Sequence, residues 1–139
     1  MHRIKIVLET IVHATEDVDR IIDSLGVLGI QRQDVIIENF AGHFENTILM
    51  LKVKKEKKEA QQIFYKISEN LSKEDLDSLI KDLDNHIHNS TLYLRISKQD
   101  LISGLLYLKE NDSVKIKVTV PVFNKKNKKD VFTKFLNKE

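Results

Sequence analysis

A chain of 139 residues falls within the ~100–200 residues expected of one domain. Its 41% hydrophobic and 32% charged residues, with only 4 Gly and 1 Pro, exclude a disordered, collagen-like or linker-rich sequence. The absence of Cys excludes zinc ribbons, iron–sulfur clusters, thiol catalysis and disulfide frameworks, and is compatible with a reducing interior. No apolar run approaches the ~20 residues of a membrane span. The basic start Met1-His2-Arg3-Ile4-Lys5 leads into an apolar run interrupted at Glu9, unlike a signal peptide. A soluble, cytoplasmic protein without a membrane partner is the expectation. The net charge of +2 conceals an asymmetry: residues 125–139 carry six lysines against Asp130 and Glu139, and the remaining body is weakly acidic. Such a basic tail suits a polyanion, or is simply solvated.

In chain order, Ile4, Ile6, Leu8, Thr10 and Val12 alternate with Arg3, Lys5, Val7, Glu9 and Ile11, the period-two signature of a half-buried strand. Thr15 then sits where an N-cap belongs, with Glu16 and Asp17 placed for the first helical turn. Val18, Ile21, Ile22 and Leu25 form an apolar helical stripe that ends at Gly26 and Gly29. The β-branched run Val35-Ile36-Ile37 leads through Phe40, and a second run from Thr47 to Lys54 follows. Gly42-His43-Phe44-Glu45-Asn46 between them reads as a hairpin turn. In the second run Leu49, Leu51 and Val53 alternate with Met50, Lys52 and Lys54, which predicts one apolar and one basic face.

Residues 55–85 read as two helices, one with Ala60, Ile63, Phe64, Ile67 and Leu71, the other with Leu76, Leu79, Ile80 and Leu83. Ser72-Lys73-Glu74-Asp75 resembles a capping box with Asp in place of Glu. The second helix is acidic at Glu74, Asp75, Asp77, Asp82 and Asp84, so it should face away from any polyanion. Leu92, Leu94 and Ile96 alternate with Tyr93, Arg95 and Ser97 as a further strand. Ser97-Lys98-Gln99-Asp100 caps a short helix ending near Gly104, followed by a short apolar segment, Leu105 to Leu108. Val114, Ile116, Val118, Val120 and Val122 then alternate with Lys115, Lys117 and Thr119, the clearest strand of the chain, with Pro121 near its exit. Val131, Phe132, Phe135 and Leu136 form the stripe of a short terminal helix.

This order predicts one α+β domain over residues 1–139, with a mixed or antiparallel sheet, helices packed on one face, and 125–139 as a lysine-rich terminal helix or tail. With apolar residues inward, the outward set of the principal strands is Arg3, Lys5, Glu9, Lys52, Lys54, Tyr93, Arg95, Lys115 and Lys117. Only one carboxylate interrupts it. The cations suit phosphate contacts, or serve to protect strand edges from aggregation.

Nothing in the chain sets up catalysis. His13 with Glu16 and Asp17 reads as capping, and His86 and His88 lack identifiable partners for a metal. Asp82 and Asp84, two apart on a predicted helix, point to different sides. No Walker, Rossmann or nucleophile-elbow motif is present. The expectation is a non-enzyme without cofactor or metal. Phe64, Phe132 and Phe135 read as core, while Phe40, Phe44, Tyr93 and Tyr107 are the aromatics placed for a surface.

His13-Ala14-Thr15-Glu16-Asp17, Gly42-His43-Phe44-Glu45-Asn46, Leu92-Tyr93-Leu94-Arg95 with Lys98-Gln99, and Asp112-Ser113-Val114-Lys115-Ile116-Lys117-Val118 together resemble the small archaeal RNA-binding proteins described as predicted exosome subunits. The resemblance covers nearly the whole chain. It departs at Glu45, where a second glycine is usual, and at Ser97, where an aspartate is common. It implies an α+β fold likened to double-stranded-RNA-binding domains and to the ribosomal protein that carries 5S ribosomal RNA. It also implies RNA as partner and a link to the exosome or RNA processing. On this reading Arg3, Lys5, Lys52, Lys54, Tyr93, Arg95, Lys115 and Lys117, with Lys125, Lys126, Lys128 and Lys129 of the tail, contact structured RNA mainly through its backbone and shape. The alternative is a protein-interaction or dimerisation module in which the sheet face or hairpin pairs with a protein or a second copy.

Overall fold

The computed structural model describes residues 3–40, 47–120 and 128–137. Six strands form one antiparallel sheet in the order β2-β3-β1-β6-β5-β4. They are β1 (Lys5–Val12), β2 (Ile36–Phe40), β3 (Ile48–Glu56), β4 (Ile87–His88), β5 (Thr91–Ser97) and β6 (Ser113–Thr119). The helices are α1 (Val18–Ser24), α2 (Lys57–Asn70), α3 (Lys73–Lys81), α4 (Lys98–Ile102) and α5 (Lys128–Leu136). The first and last strands are neighbours at the centre.

Alternation decides which face is covered. Ile4, Ile6 and Leu8, Leu51 and Val53, Leu92, Leu94 and Ile96, and Val114, Ile116 and Val118 are buried, as are Ala60, Ile63, Phe64 and Ile67 of α2 and Phe132, Phe135 and Leu136 of α5. Apart from Leu51, these side chains share one core between the sheet and the helices, and Leu51 joins Val12, Ile21 and Ile22 in a smaller cluster beneath α1. The predicted architecture is therefore the observed one: one sheet, helices on one face, the other face open. Strand β3 enters α2 directly, with Lys57 in the left-handed region at φ 58° and its N–H donated to the Ile4 carbonyl at 2.8 Å.

Several local expectations change. Helix α1 is capped by Asp17, whose carboxylate accepts from Asp19 N and Arg20 N, rather than by Thr15. The cause is Glu16, which is drawn back onto the His13 N–H and across to Lys98. Ser72 caps α3 by accepting from Asp75 N, but the reciprocal half of the box is missing because Asp75 instead accepts from Leu108 N at 2.8 Å. Helix α3 ends at Lys81, leaving Asp82 and Asp84 beyond it. Ser97 retains the cap of α4, accepting from Asp100 N, and Gly104 follows with φ +82°, a conformation that favours glycine. The hairpin turn and Pro121 lie outside the described residues. No helix among the described residues is long and apolar enough to cross a membrane.

Candidate nucleic-acid interface

Pairing register sets the open face. Lys52 on β3 pairs with Glu9 on β1, Glu9 with Lys115 on β6, and Lys115 with Arg95 on β5. One residue pair further along, Lys54 pairs with Val7, Val7 with Lys117, and Lys117 with Tyr93. Paired residues on neighbouring strands point to the same side, so the two rows carry five cations and one aromatic ring across four strands. Lys5 begins a third row and Arg3 is exposed just ahead of it. Seven of the residues expected from the sequence, Lys5, Lys52, Lys54, Tyr93, Arg95, Lys115 and Lys117, thus belong to one side of the sheet, while Arg3 precedes β1 and has no strand partner.

The face is less uniformly basic than the alternation implied. Glu56 pairs with Lys5 and Glu38 with Met50, so two carboxylates join Glu9 on this side. Lys5 lies 3.8 Å from Glu56 and Lys52 lies 3.5 Å from Glu9. Among the described residues, Lys54, Arg95, Lys115 and Lys117 have no carboxylate within 4.0 Å. Of the five cations in the two rows, these four are left to meet an external anion.

The terminal lysines part from this group. Phe135 stacks on Phe64 with ring centroids 5.5 Å apart and lies 5.8 Å from Tyr65, which draws α5 into the helical layer. Lys129 therefore pairs with Asp84 at 3.7 Å on the side away from the open face. Lys125 and Lys126 lie outside the described residues, as does the side chain of Lys128.

Two features escaped the sequence reading. Lys109 joins the open face because its N–H bonds the Arg95 carbonyl at 3.0 Å and Leu108 bridges Ile96. The alternation of Leu106 and Leu108 with Tyr107 and Lys109 was the available signal. The second is Lys98, only 2% exposed. Its Nζ lies 2.9 Å from the Ile11 carbonyl, 2.8 Å from Glu16 Oε1 and 2.9 Å from Asp112 Oδ1. Gln99 Nε2 adds contacts to the other oxygens of Glu16 and Asp112 at 3.3 and 3.4 Å. Burial pushes the Glu16 carboxyl up, but the His13 N–H and Lys98 outweigh it and hold Glu16 below its ordinary value. Asp112 is likewise held low, chiefly by its hydrogen bond from Lys98. No local pattern reports this cage, since its members come from three separate segments. His86 and His88 also have protein partners: His86 Nε2 lies 3.6 Å from Asp82, and the His88 ring lies edge-on to Tyr93.

Proteins of known structure share this architecture. Protein SSO0741 from Sulfolobus solfataricus has a crystal structure that matches with a TM-score of 0.79 and 28% identity, covering 96% of this chain and 98% of that one. Mth689 from Methanothermobacter thermautotrophicus, a DUF54 protein, matches in fold with a TM-score of 0.74 at 23% identity, covering 96% and 98%. The uncharacterized protein MJ0213 from Methanocaldococcus jannaschii is 28% identical over 131 residues, 88% of each chain. A family model described as RNA binding matches residues 5–122, from the start of β1 to just beyond β6. The chain that builds this cationic sheet face belongs to that RNA-binding family.

Proposed function

We propose that the protein binds structured RNA through the open face of its sheet, reading mainly backbone and shape, and performs no chemistry on it. The observation that carries this reading is the group Lys54, Arg95, Lys115 and Lys117, four cations on one face without carboxylate partners among the described residues. Phosphate contacts position an RNA without reading its sequence, and helical RNA is recognised largely by shape. The saturation of Lys98 by three acceptors supports a structural rather than catalytic role for the molecule's buried charged cluster. Association with the exosome or another RNA-processing assembly belongs to the same proposal. It is supported by the exposed Glu74 and Asp77 of α3, which offer an acidic surface to a protein partner while the sheet holds RNA.

The test is RNA affinity across a salt series. Log affinity should fall linearly with log salt, at about −0.9 per phosphate neutralised for a duplex. Replacing Lys115 and Lys117 together by alanine should reduce the slope by roughly 2. A flat salt profile, or an unchanged slope in the double variant, would refute the proposal.

A protein-interaction reading has one observation in its favour. Ile36 and Ile37 on the edge strand β2 are each 52% exposed, and a bare apolar edge is a template for strand addition. Light scattering of wild type and Ile36→Lys decides it: concentration-dependent mass that the substitution abolishes supports pairing through β2, and a monomer at high concentration argues against it.

A further inference from the structure

The open face is not flat. Beside β5 and β6 it dips into a groove of about 720 Å³ lined by Tyr93, Arg95, Lys109, Lys115 and Lys117, within the ~300–1,000 Å³ typical of small-ligand sites. Tyr93 is 40% exposed. His88 braces its ring edge-on, with centroids 5.7 Å apart and planes at 63°, a favourable aromatic geometry. His86 Nδ1 lies 3.2 Å from the Tyr93 carbonyl oxygen. Arg95 is steered as well, since its Nη1 donates to the Glu110 carbonyl at 3.3 Å. Glu9 and Glu110 also line the groove, Glu9 being paired with Lys52 at 3.5 Å, so it offers a braced aromatic ring among four cations that outnumber its two carboxylates and, among the described residues, form no ion pair within 4.0 Å.

Three kinds of polyanion fit these features differently. A duplex satisfies the cations but keeps its bases in its own stack, so the ring gains nothing. An acidic peptide likewise meets the cations and leaves the ring unmatched. An unpaired nucleotide brings a π-face and phosphates together, and stacking of splayed bases on aromatic side chains is the usual means of holding single-stranded RNA. We propose, resting on the RNA-binding reading above, that this groove takes one unpaired nucleotide of RNA. Its base stacks on Tyr93, and the flanking phosphates lie against Arg95, Lys115 and Lys117. The protein therefore prefers a helix with a single-stranded extension to a blunt one.

The experiment compares three RNAs by fluorescence anisotropy at one salt concentration: a blunt hairpin, the same hairpin with a short uridine extension, and that extension with abasic riboses in place of uridines. The full chain should bind the uridine extension more tightly than either other RNA. Tyr93→Ala should remove that gain, on the order of 5- to 100-fold; Tyr93→Phe, which keeps the ring, should retain it. Equal affinity for uridine and abasic extensions overturns the proposal without requiring any variant to fold. If in that case the blunt hairpin still binds, and does so with a steep salt dependence in the separate salt series described above, the groove has failed and the sheet-face reading stands. Absence of binding to all three RNAs overturns both.

Discussion

Replacing Lys98 by methionine tests whether the buried cage holds the two halves of the molecule together. Methionine preserves the apolar stem and deletes only the ammonium, so the perturbation is confined to three acceptors: the Ile11 carbonyl, Glu16 and Asp112. Breaking a buried pair from one side costs about 3–5 kcal/mol. The Asp112 side chain is 39% exposed and rehydrates, which lowers the cost. The Glu16 side chain is 16% exposed, and a part-buried acceptor left without its donor costs ~1–3 kcal/mol. A net loss of about 3 kcal/mol follows, or roughly 10 °C in Tm at ~3–4 °C per kcal/mol for a domain of this size. Urea unfolding followed by circular dichroism at pH 7 reads it. The sign of the pH dependence is fixed by the two carboxyls, both held below their ordinary values in the folded state. Their contribution is complete above the unfolded values of about 4 and is lost as pH falls through the lower folded ones. The gap between wild type and Lys98→Met should therefore close as pH is lowered from 5 toward 2. A variant within about 1 kcal/mol of wild type at pH 7, or a gap that persists in acid, would refute this account of the cage.

Removal of the Phe135 ring, which stacks on Phe64 and is almost fully buried, should cost about 3–5 kcal/mol in urea unfolding while leaving RNA affinity unchanged wherever the variant remains folded. Ser72→Ala deletes the α3 cap, which accepts from Asp75 N at 3.1 Å, and should lower stability by ~1 kcal/mol in the same measurement. Lys54→Ala and Lys129→Ala remove one lysine each from opposite sides of the fold. Only the first should reduce the salt slope of RNA binding, by roughly 1; an equal effect of both would mean that RNA also reaches the helical layer.

Much of the candidate face was legible because a strand's side-chain period is local. The alternations through Lys5 to Val12, Leu49 to Lys54, Leu92 to Ile96 and Val114 to Thr119 separate inward from outward residues without knowledge of any partner strand. What was not legible depended on partners. Glu56 and Glu38 were not assigned to the basic face because β3 was expected to end earlier and β2 was left out of the outward set; pairing with Lys5 and Met50 puts them there. The lysines of the terminal helix were grouped with the sheet on charge alone, yet burial of Phe132, Phe135 and Leu136 decides where α5 packs, and Lys129 follows its helix to Asp84.

The Lys98 cage shows the same division most sharply. His13 to Asp17, Lys98-Gln99 and Asp112-Ser113 are short segments far apart in the chain, each readable by itself as a cap or a turn. Glu16 meets Lys98 across 82 residues, and Ile11 meets it across 87. The sequence by itself determined the α+β class, the core stripes, the Ser72 and Ser97 caps of α3 and α4 and the outward cations of individual strands, because each follows from spacing within a few residues. Only the tertiary structure decided which strands lie side by side, which cations remain unpaired, where the groove around Tyr93 forms and that Lys98 is buried, because each depends on side chains brought together by pairings distant in sequence.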